Sequence, residues 1–311
     1  MKKLLTILLS MLLLITGAVG LTACGGEKNI TVVAREQGSG TREAFDKVIT
    51  DGNGNFLEMK VDGKKVYKTT SNADIQKETG NVMSKVASDK NAIGYISLGS
   101  VNDTIKVVNV NGVAPTSQNV LDGSYKIQRP FVIMTSSTVT LKDITADFLL
   151  YLKSEVSETH AEEAGCIYLA DETKRANEGE TAIPVVEYEV KSSLPAGGKI
   201  TVNGSTSMEK FIKKAMSGYA SLYGRTADDI FTLDLQGSSV GRTAVQNDKN
   251  GNVIGLSSAS VKEDGINSFN VCLDAVAVIV NKANENVNDL TIAQLYDIFS
   301  GKVTKFSEIA G

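Results

Sequence analysis

Three times in this chain a short β-branched run breaks into a turn of glycines and hydroxyls, then into a stretch with helical periodicity. The first turn is Arg35-Glu36-Gln37-Gly38-Ser39-Gly40-Thr41-Arg42, between a strand predicted over 30–34 and a helix over 41–49. The second is Gly204-Ser205-Thr206-Ser207, between a strand over 199–202 and a helix over 208–223. The third, Gly237-Ser238-Ser239-Val240-Gly241-Arg242, joins a strand over 231–235 to a short helix over 243–246. At such a turn the first helical N–H groups have no intrahelical partner, and the positive end of the helix dipole points outward. Glycine lets the backbone come close to a ligand, while serine and threonine add hydroxyl donors. Three of these turns meeting at one point would form a multi-donor socket for a small tetrahedral oxyanion. Each serine alone also stands where an N-cap stands. The signal lies in the repetition, and in the arginines beside two of the turns.

The remaining pattern is the same alternation. Strands are predicted over 92–98, 106–110, 131–135, 253–256 and 270–280, and helices over 73–88 and 143–163. That order reads as an α/β fold. The polar stretch 171–198, with Pro184, Pro195, Gly197 and Gly198, reads as an excursion between two structural blocks.

The N-terminus speaks to compartment. Lys2 and Lys3 precede an apolar run over 4–19, and Leu21-Thr22-Ala23-Cys24 closes it with small residues before a cysteine. Charge, apolar core and small-residue end make a secretory signal over 1–23, too short for a trusted membrane span. Its ending resembles a lipobox, in which Cys24 is acylated and residues 24–29 form the lipidated start and tether. Two acyl chains on one residue suffice for firm anchoring. Cleavage leaves 311 − 23 = 288 residues, enough for two ordinary domains with buried cores. The net charge of −4 disfavours a nucleic-acid partner, so any anion must be held by local donors.

Enzymatic chemistry finds little here. His160 is the only histidine, in a polar helical stretch, and reads as a solvated surface residue. Cys166 and Cys272 are far apart without metal-ligand spacing; pairing and simple burial both fit them. There is no Walker G-x-x-x-x-G-K-[ST] pattern and no G-x-S-x-G elbow. The expectation is a binding protein with no catalytic residue, metal or cofactor.

At the three turns the chain resembles a known family. Val33-Ala34 followed by the Arg35–Arg42 turn resembles the phosphate-binding signature of the Pst-type phosphate receptors, solute-binding proteins of a phosphate ABC importer. Gly204 to Lys210 resembles their first anion loop, Gly237-Ser238-Ser239 their second, and Ile254-Gly255-Leu256-Ser257-Ser258 the strand end after it. Leu273 to Asn281, Leu290 to Gly301 with Lys302-Val303-Thr304, and Ala92 to Gly99 fit as well. The order is unusual, because in most of the family the Gly-Ser-Thr-Ser loop comes first. Joining Gly311 to Lys28 would restore the usual order, so the chain reads as a circular permutant, which surface termini tolerate.

The resemblance implies a two-lobed type II periplasmic-binding-protein fold with two crossover hinge strands. One lobe would be continuous, 134–277, and the other assembled from both ends, 30–133 plus 278–311. It implies inorganic phosphate as ligand, a membrane permease as partner, a lipid anchor on the extracytoplasmic face of the cell membrane, and a monomer. Thr206, Ser207 and Ser238 would bind from one lobe, and Ser39, Gly40 and Thr41 from the other. Arg35 would supply a bidentate guanidinium and Arg42 a second positive charge. Ser258 stands where part of the family has an aspartate. Its hydroxyl accepts as well as donates, so it rejects sulfate less firmly than a carboxylate would. A receptor for another oxyanion, and a surface sensor or adhesion module on the same fold, are the alternatives.

Overall fold

The computed structural model describes residues 27–168 and 186–309. Residues 1–26, and with them the predicted signal, Cys24 and the first part of the tether, lie outside it, as do 169–185, which take in 171–185 of the predicted excursion. No helix among the described residues is long and apolar enough to cross a membrane.

The first half of the chain runs β1 (Thr31–Arg35), α1 (Gly40–Val48), the hairpin β2 (Glu58–Val61) and β3 (Lys64–Tyr67), β4 (Asp74–Gln76), α2 (Thr79–Ser88), β5 (Ala92–Ser97), β6 (Ile105–Val110) and α3 (Ser117–Leu121). Then come β7 (Gln128–Ser136), α4 (Asp143–Leu152), α5 (Val156–Glu163) and β8 (Ile167–Tyr168). The second half holds β9 (Ile200–Gly204), α6 (Glu209–Leu222), α7 (Ala227–Ile230), β10 (Phe231–Asp234), α8 (Ser238–Gln246) and β11 (Val253–Ser257). The long β12 (Ile266–Asn281), β13 (Asp289–Leu290) and α9 (Ile292–Ser300) close it.

One sheet runs through most of this in the order β10-β9-β11-β7-β12-β5-β1-β4, with β6, β8 and β13 pairing off that path, while β2 and β3 form a small sheet of their own. Its centre is β12, whose sixteen residues pair along their length with β7 and then β5, and also with β8 and β6. From Ile266 to Ala275 it pairs antiparallel with β7, with an irregularity between Asn270 and Cys272. From Val276 to Val280 it pairs with β5. Every residue from Val271 to Asn281 is buried, as expected for a strand covered on both faces. Parallel pairs flank this centre, β1 with β5 and β4 on one side, β9 with β10 and β11 on the other.

Two large cores follow from that layout. One gathers around Phe45, Tyr95 and Phe299, with Phe45 stacked on Tyr95 at 4.1 Å between ring centroids. It draws on residues from 32 to 127 and from 275 to 299, together with Ile167 and Leu273. The other surrounds Phe148, Tyr219 and Phe231, whose rings meet edge-on or tilted, and takes residues from 131 to 272. Each fully buried aromatic contributes about 1.5–3 kcal/mol from removal of its surface from water. The α/β reading holds.

Several local expectations need correction. The helix expected over 73–88 begins at Thr79, because Asp74–Gln76 extends the sheet beside β1, with Val33 opposite Asp74. The helix expected over 143–163 breaks at residues 153–155, where the Ser154 hydroxyl donates to the Tyr151 carbonyl and competes with the helical ladder. The third turn leads into a helix that starts at Ser238 rather than residue 243. His160 is half-buried rather than fully solvated. Its Nε2 meets Tyr151 Oη at 2.7 Å and it packs on Gly218, where a Cβ would lie 2.6 Å from that nitrogen. Burial accordingly lowers its pKa. Cys166 and Cys272 are unpaired by disulfide and buried. Burial, and then Cys166 alongside, push the Cys272 thiol up. The described part of the excursion docks by Tyr188, whose hydroxyl donates to Asp147 at 2.9 Å.

Candidate oxyanion site

In the first two turns, glycines stand where a side chain would strike a neighbouring loop or strand. In the first, Gly38 takes φ +96° and Ser39 caps α1, accepting from the Arg42 N–H at 3.4 Å. Gly40 opens that helix against the third turn. A Cβ built there would lie 2.5 Å from Ser258 Oγ and 2.8 Å from Ser238 Oγ. In the second, Gly204 sits at φ +135°, and a Cβ there would collide with the Leu256 carbonyl oxygen.

The hydroxyls then meet. Thr41 Oγ1 and Ser207 Oγ are 2.8 Å apart across 166 residues of chain. Ser205 Oγ donates to Ser258 Oγ at 2.8 Å, and Ser238 Oγ accepts from the Ser258 N–H at 3.1 Å. Main chain ties the turns to one another, Gly237 N–H to the Gly204 carbonyl at 2.8 Å and Ser239 N–H to the Gly38 carbonyl at 3.3 Å. Ser39, Thr41, Thr206, Ser207, Ser238 and Ser258 are all buried. Of the residues expected from the sequence, Gly40, Thr41, Ser207, Ser238 and Ser258 therefore converge directly, and Thr206 joins them through Thr79 Oγ1 at 3.2 Å.

The two arginines of the first turn part company. Arg35 is 2% exposed and ends β1. Its Nε and Nη2 donate to the two oxygens of Glu36, each at 3.0 Å, and Nη2 also donates to the Lys77 carbonyl at 2.9 Å. That grip turns Nη1 toward the hydroxyls, 3.3 Å from Thr79 Oγ1. Arg42 faces elsewhere, so its expected second charge is not delivered to the hydroxyls. Its Nε pairs with Asp46 at 3.0 Å, its Nη1 donates to the Arg35 carbonyl at 2.8 Å, and it lies over the Tyr67 ring. Burial pushes the Asp46 carboxyl up to about 6 against the pull of Arg42.

Sequence reasoning missed four members of this constellation. Thr79 and Ser205 are hydroxyls inside it. Arg129 on β7 and Asp274 on β12 form an ion pair behind it, with Nε and Nη2 on Asp274 Oδ2 at 3.1 and 2.8 Å. Asp274 Oδ1 accepts from Ser97 Oγ at 2.9 Å, and Arg129 Nη1 lies 3.5 Å from the Ser258 carbonyl. Burial raises the Asp274 pKa and lowers that of Arg129, each opposed by the other's charge. A signal existed, since lone charges inside apolar strands must be paired; Thr79 had none, lying in a polar run.

Glu36, Asp46 and Asp274 each face an arginine, so the centre of the site is dominated by hydroxyls, helix N-termini and the Nη1 edge of Arg35. Such a donor set stabilises an oxyanion by charge-assisted hydrogen bonds.

Comparison with known proteins agrees with this geometry. A family model described as a PBP superfamily domain matches residues 23–156 and 189–311. The chain is 34% identical over 304 residues to the phosphate-binding protein PstS 2 of Streptococcus pneumoniae TIGR4, covering 93% of this chain and 94% of that one. It is 32% identical to PstS 2 of Streptococcus agalactiae serotype V, covering 96% and 97%. The crystal structure of a phosphate ABC transporter phosphate-binding protein from Streptococcus pneumoniae TIGR4 superposes with a TM-score of 0.64 at 32% identity, over 91% of this chain and 100% of that one. Fold, converging turns and similarity along almost the whole length lead to one conclusion: the chain belongs to the PBP superfamily and, within it, to the family of PstS phosphate-binding proteins.

Proposed function

We propose that this protein is an extracytoplasmic receptor that captures inorganic phosphate between two lobes and delivers it to the permease of an ABC importer, without transforming it chemically. The observation that carries this reading is the 2.8 Å meeting of Thr41 and Ser207. Their hydroxyls come from turns on opposite sides of the central strand β12 and close on one point. The names of the full-length relatives support phosphate as the anion and an ABC transporter as the setting.

The lobes in this reading are 30–133 with 278–311, and 134–277, hinged where β7 and β12 pass between the two cores. Thr41, Gly40, Ser39 and Arg35 bind from the first lobe; Thr206, Ser207, Ser238 and Ser258 bind from the second. Because the donors are divided between lobes, the anion acts as the latch that holds them together. Arg42 supports Arg35 through its carbonyl instead of touching the anion. The receptor is a monomer held to the membrane by acylated Cys24. The permuted order belongs to the same reading. It is supported by the meeting of the two ends, where the Ile30 N–H donates to the Thr304 carbonyl at 2.7 Å and Glu27 accepts from the Ser307 N–H at 3.0 Å.

Thermal unfolding tests the proposal. Phosphate at a hundred times its dissociation constant stabilises the bound fold by about 2.7 kcal/mol, a rise of roughly 5–10 °C for a chain of this size. Arg35→Ala should remove that rise. An unaltered melting temperature in phosphate would sink the reading.

A further inference from the structure

We propose that Thr79 is a further anion ligand, carrying its hydroxyl into the socket from a fourth element and held there as a donor by Arg35. The inference rests on the phosphate reading above and adds a residue to it. Thr79 is the first residue of α2, 5% exposed, and lies in none of the three glycine-serine turns. Its Oγ1 stands 3.2 Å from Thr206 Oγ1 and 3.5 Å from Ser207 Oγ, two hydroxyls of the second turn. It therefore sits among the converging donors, on the side of the site that carries Arg35.

The polarity of its bonds fixes what it can offer. Guanidinium has no acceptor, so the 3.3 Å contact between Arg35 Nη1 and Thr79 Oγ1 runs from arginine to threonine. With an oxygen lone pair so engaged, the threonine proton is free to point toward Thr206 or toward an anion placed between them. Glu36 and the Lys77 carbonyl hold the other edge of the same guanidinium, which keeps Nη1 on its target. A neutral hydroxyl polarised by an adjacent cation is a stronger donor than a free one.

A donor of this kind serves any oxyanion oxygen. It strengthens binding without reading the proton that distinguishes phosphate from sulfate. Thr79 should thus set affinity and leave selectivity to other residues, Ser258 among them. The closing role of the contact follows as well, since Thr79 and Thr206 belong to different lobes.

Equilibrium dialysis of the full chain with radiolabelled inorganic phosphate, repeated with labelled sulfate, tests this. Thr79→Val keeps shape and burial but deletes the hydroxyl. It should weaken phosphate binding about 10–100-fold, the loss expected for a hydrogen bond to a charged group, and weaken any sulfate binding by the same factor. Thr79→Ser should restore most of the affinity, because it restores the hydroxyl without the methyl. Far-ultraviolet circular dichroism of both variants checks folding. Wild-type affinity in Thr79→Val would overturn the proposal, and so would a loss that Thr79→Ser fails to rescue, which would assign the effect to packing. Absence of phosphate binding in the unaltered chain would overturn the underlying reading, and this inference with it.

Discussion

Arg129 and Asp274, 145 residues apart in sequence, meet at 2.8 Å between the two strands that join the halves of the sheet. Arg129 is 3% exposed and Asp274 1%, so neither charge has water to fall back on. Asp274 also holds Ser97 at the end of β5, while Arg129 reaches toward the carbonyl of Ser258. The pair thereby connects one anion-facing loop to the opposite half of the molecule.

Breaking it on one side should be costly. Arg129→Met leaves a buried carboxylate without its cation and should lower unfolding stability by about 3–5 kcal/mol. The double variant Arg129→Met/Asp274→Leu should recover much of that, because two apolar side chains carry no desolvation penalty. Urea unfolding of the four proteins of this cycle decides it. Additive losses would mean that the two charges do not depend on each other.

Gly40 separates binding from folding. Alanine is the best helix former and is compatible with the first turn of a helix. Its methyl, however, would meet Ser258 Oγ at 2.5 Å and Ser238 Oγ at 2.8 Å. The loops must then move apart, so Gly40→Ala should lose at least about tenfold in phosphate affinity, or roughly 1.4 kcal/mol. The melting temperature of the anion-free protein should hardly change. Fluorescence-monitored melting beside binding titration checks both halves. Unchanged affinity would contradict the close approach of the two loops.

Asp46 gives the fold a pH dependence of definite sign. Its carboxyl is raised from 3.8 to about 6 by burial, so the native state holds the proton more tightly than the unfolded chain. The resulting stability is complete below about 3.8 and is lost as the pH rises through about 6. Measured against Asp46→Asn, whose amide does not titrate, the wild-type protein should lose relative stability between mildly acidic and neutral pH. Urea unfolding at both ends of that interval checks the sign. A relative stability that rises with pH would show that pairing with Arg42 outweighs burial.

The chain announced its site more clearly than its scaffold. Glycine beside serine at a strand end has a local meaning, and Gly40, Thr41, Ser207 and Ser238 were legible for that reason. Thr79 was not, because its place in the socket depends on β4 pairing with β1, a relation that no local pattern in Asp74-Ile75-Gln76 discloses. Arg42 looked equivalent to Arg35 in sequence, yet one turn of helix carries it to Asp46. The expectation of a helix over 73–88 failed for a related reason, since sheet pairing overrode a helical period. His160 was misread because Gly218, on another helix, admits its ring.

The function rests on this socket taking phosphate. Titration calorimetry of the chain, stripped of bound anion, with phosphate and then with sulfate, addresses it most directly. Saturable heat is expected with phosphate at one site per chain, lost in Arg35→Ala, with weaker or no heat from sulfate. Silence toward phosphate in a protein that is demonstrably folded would contradict it.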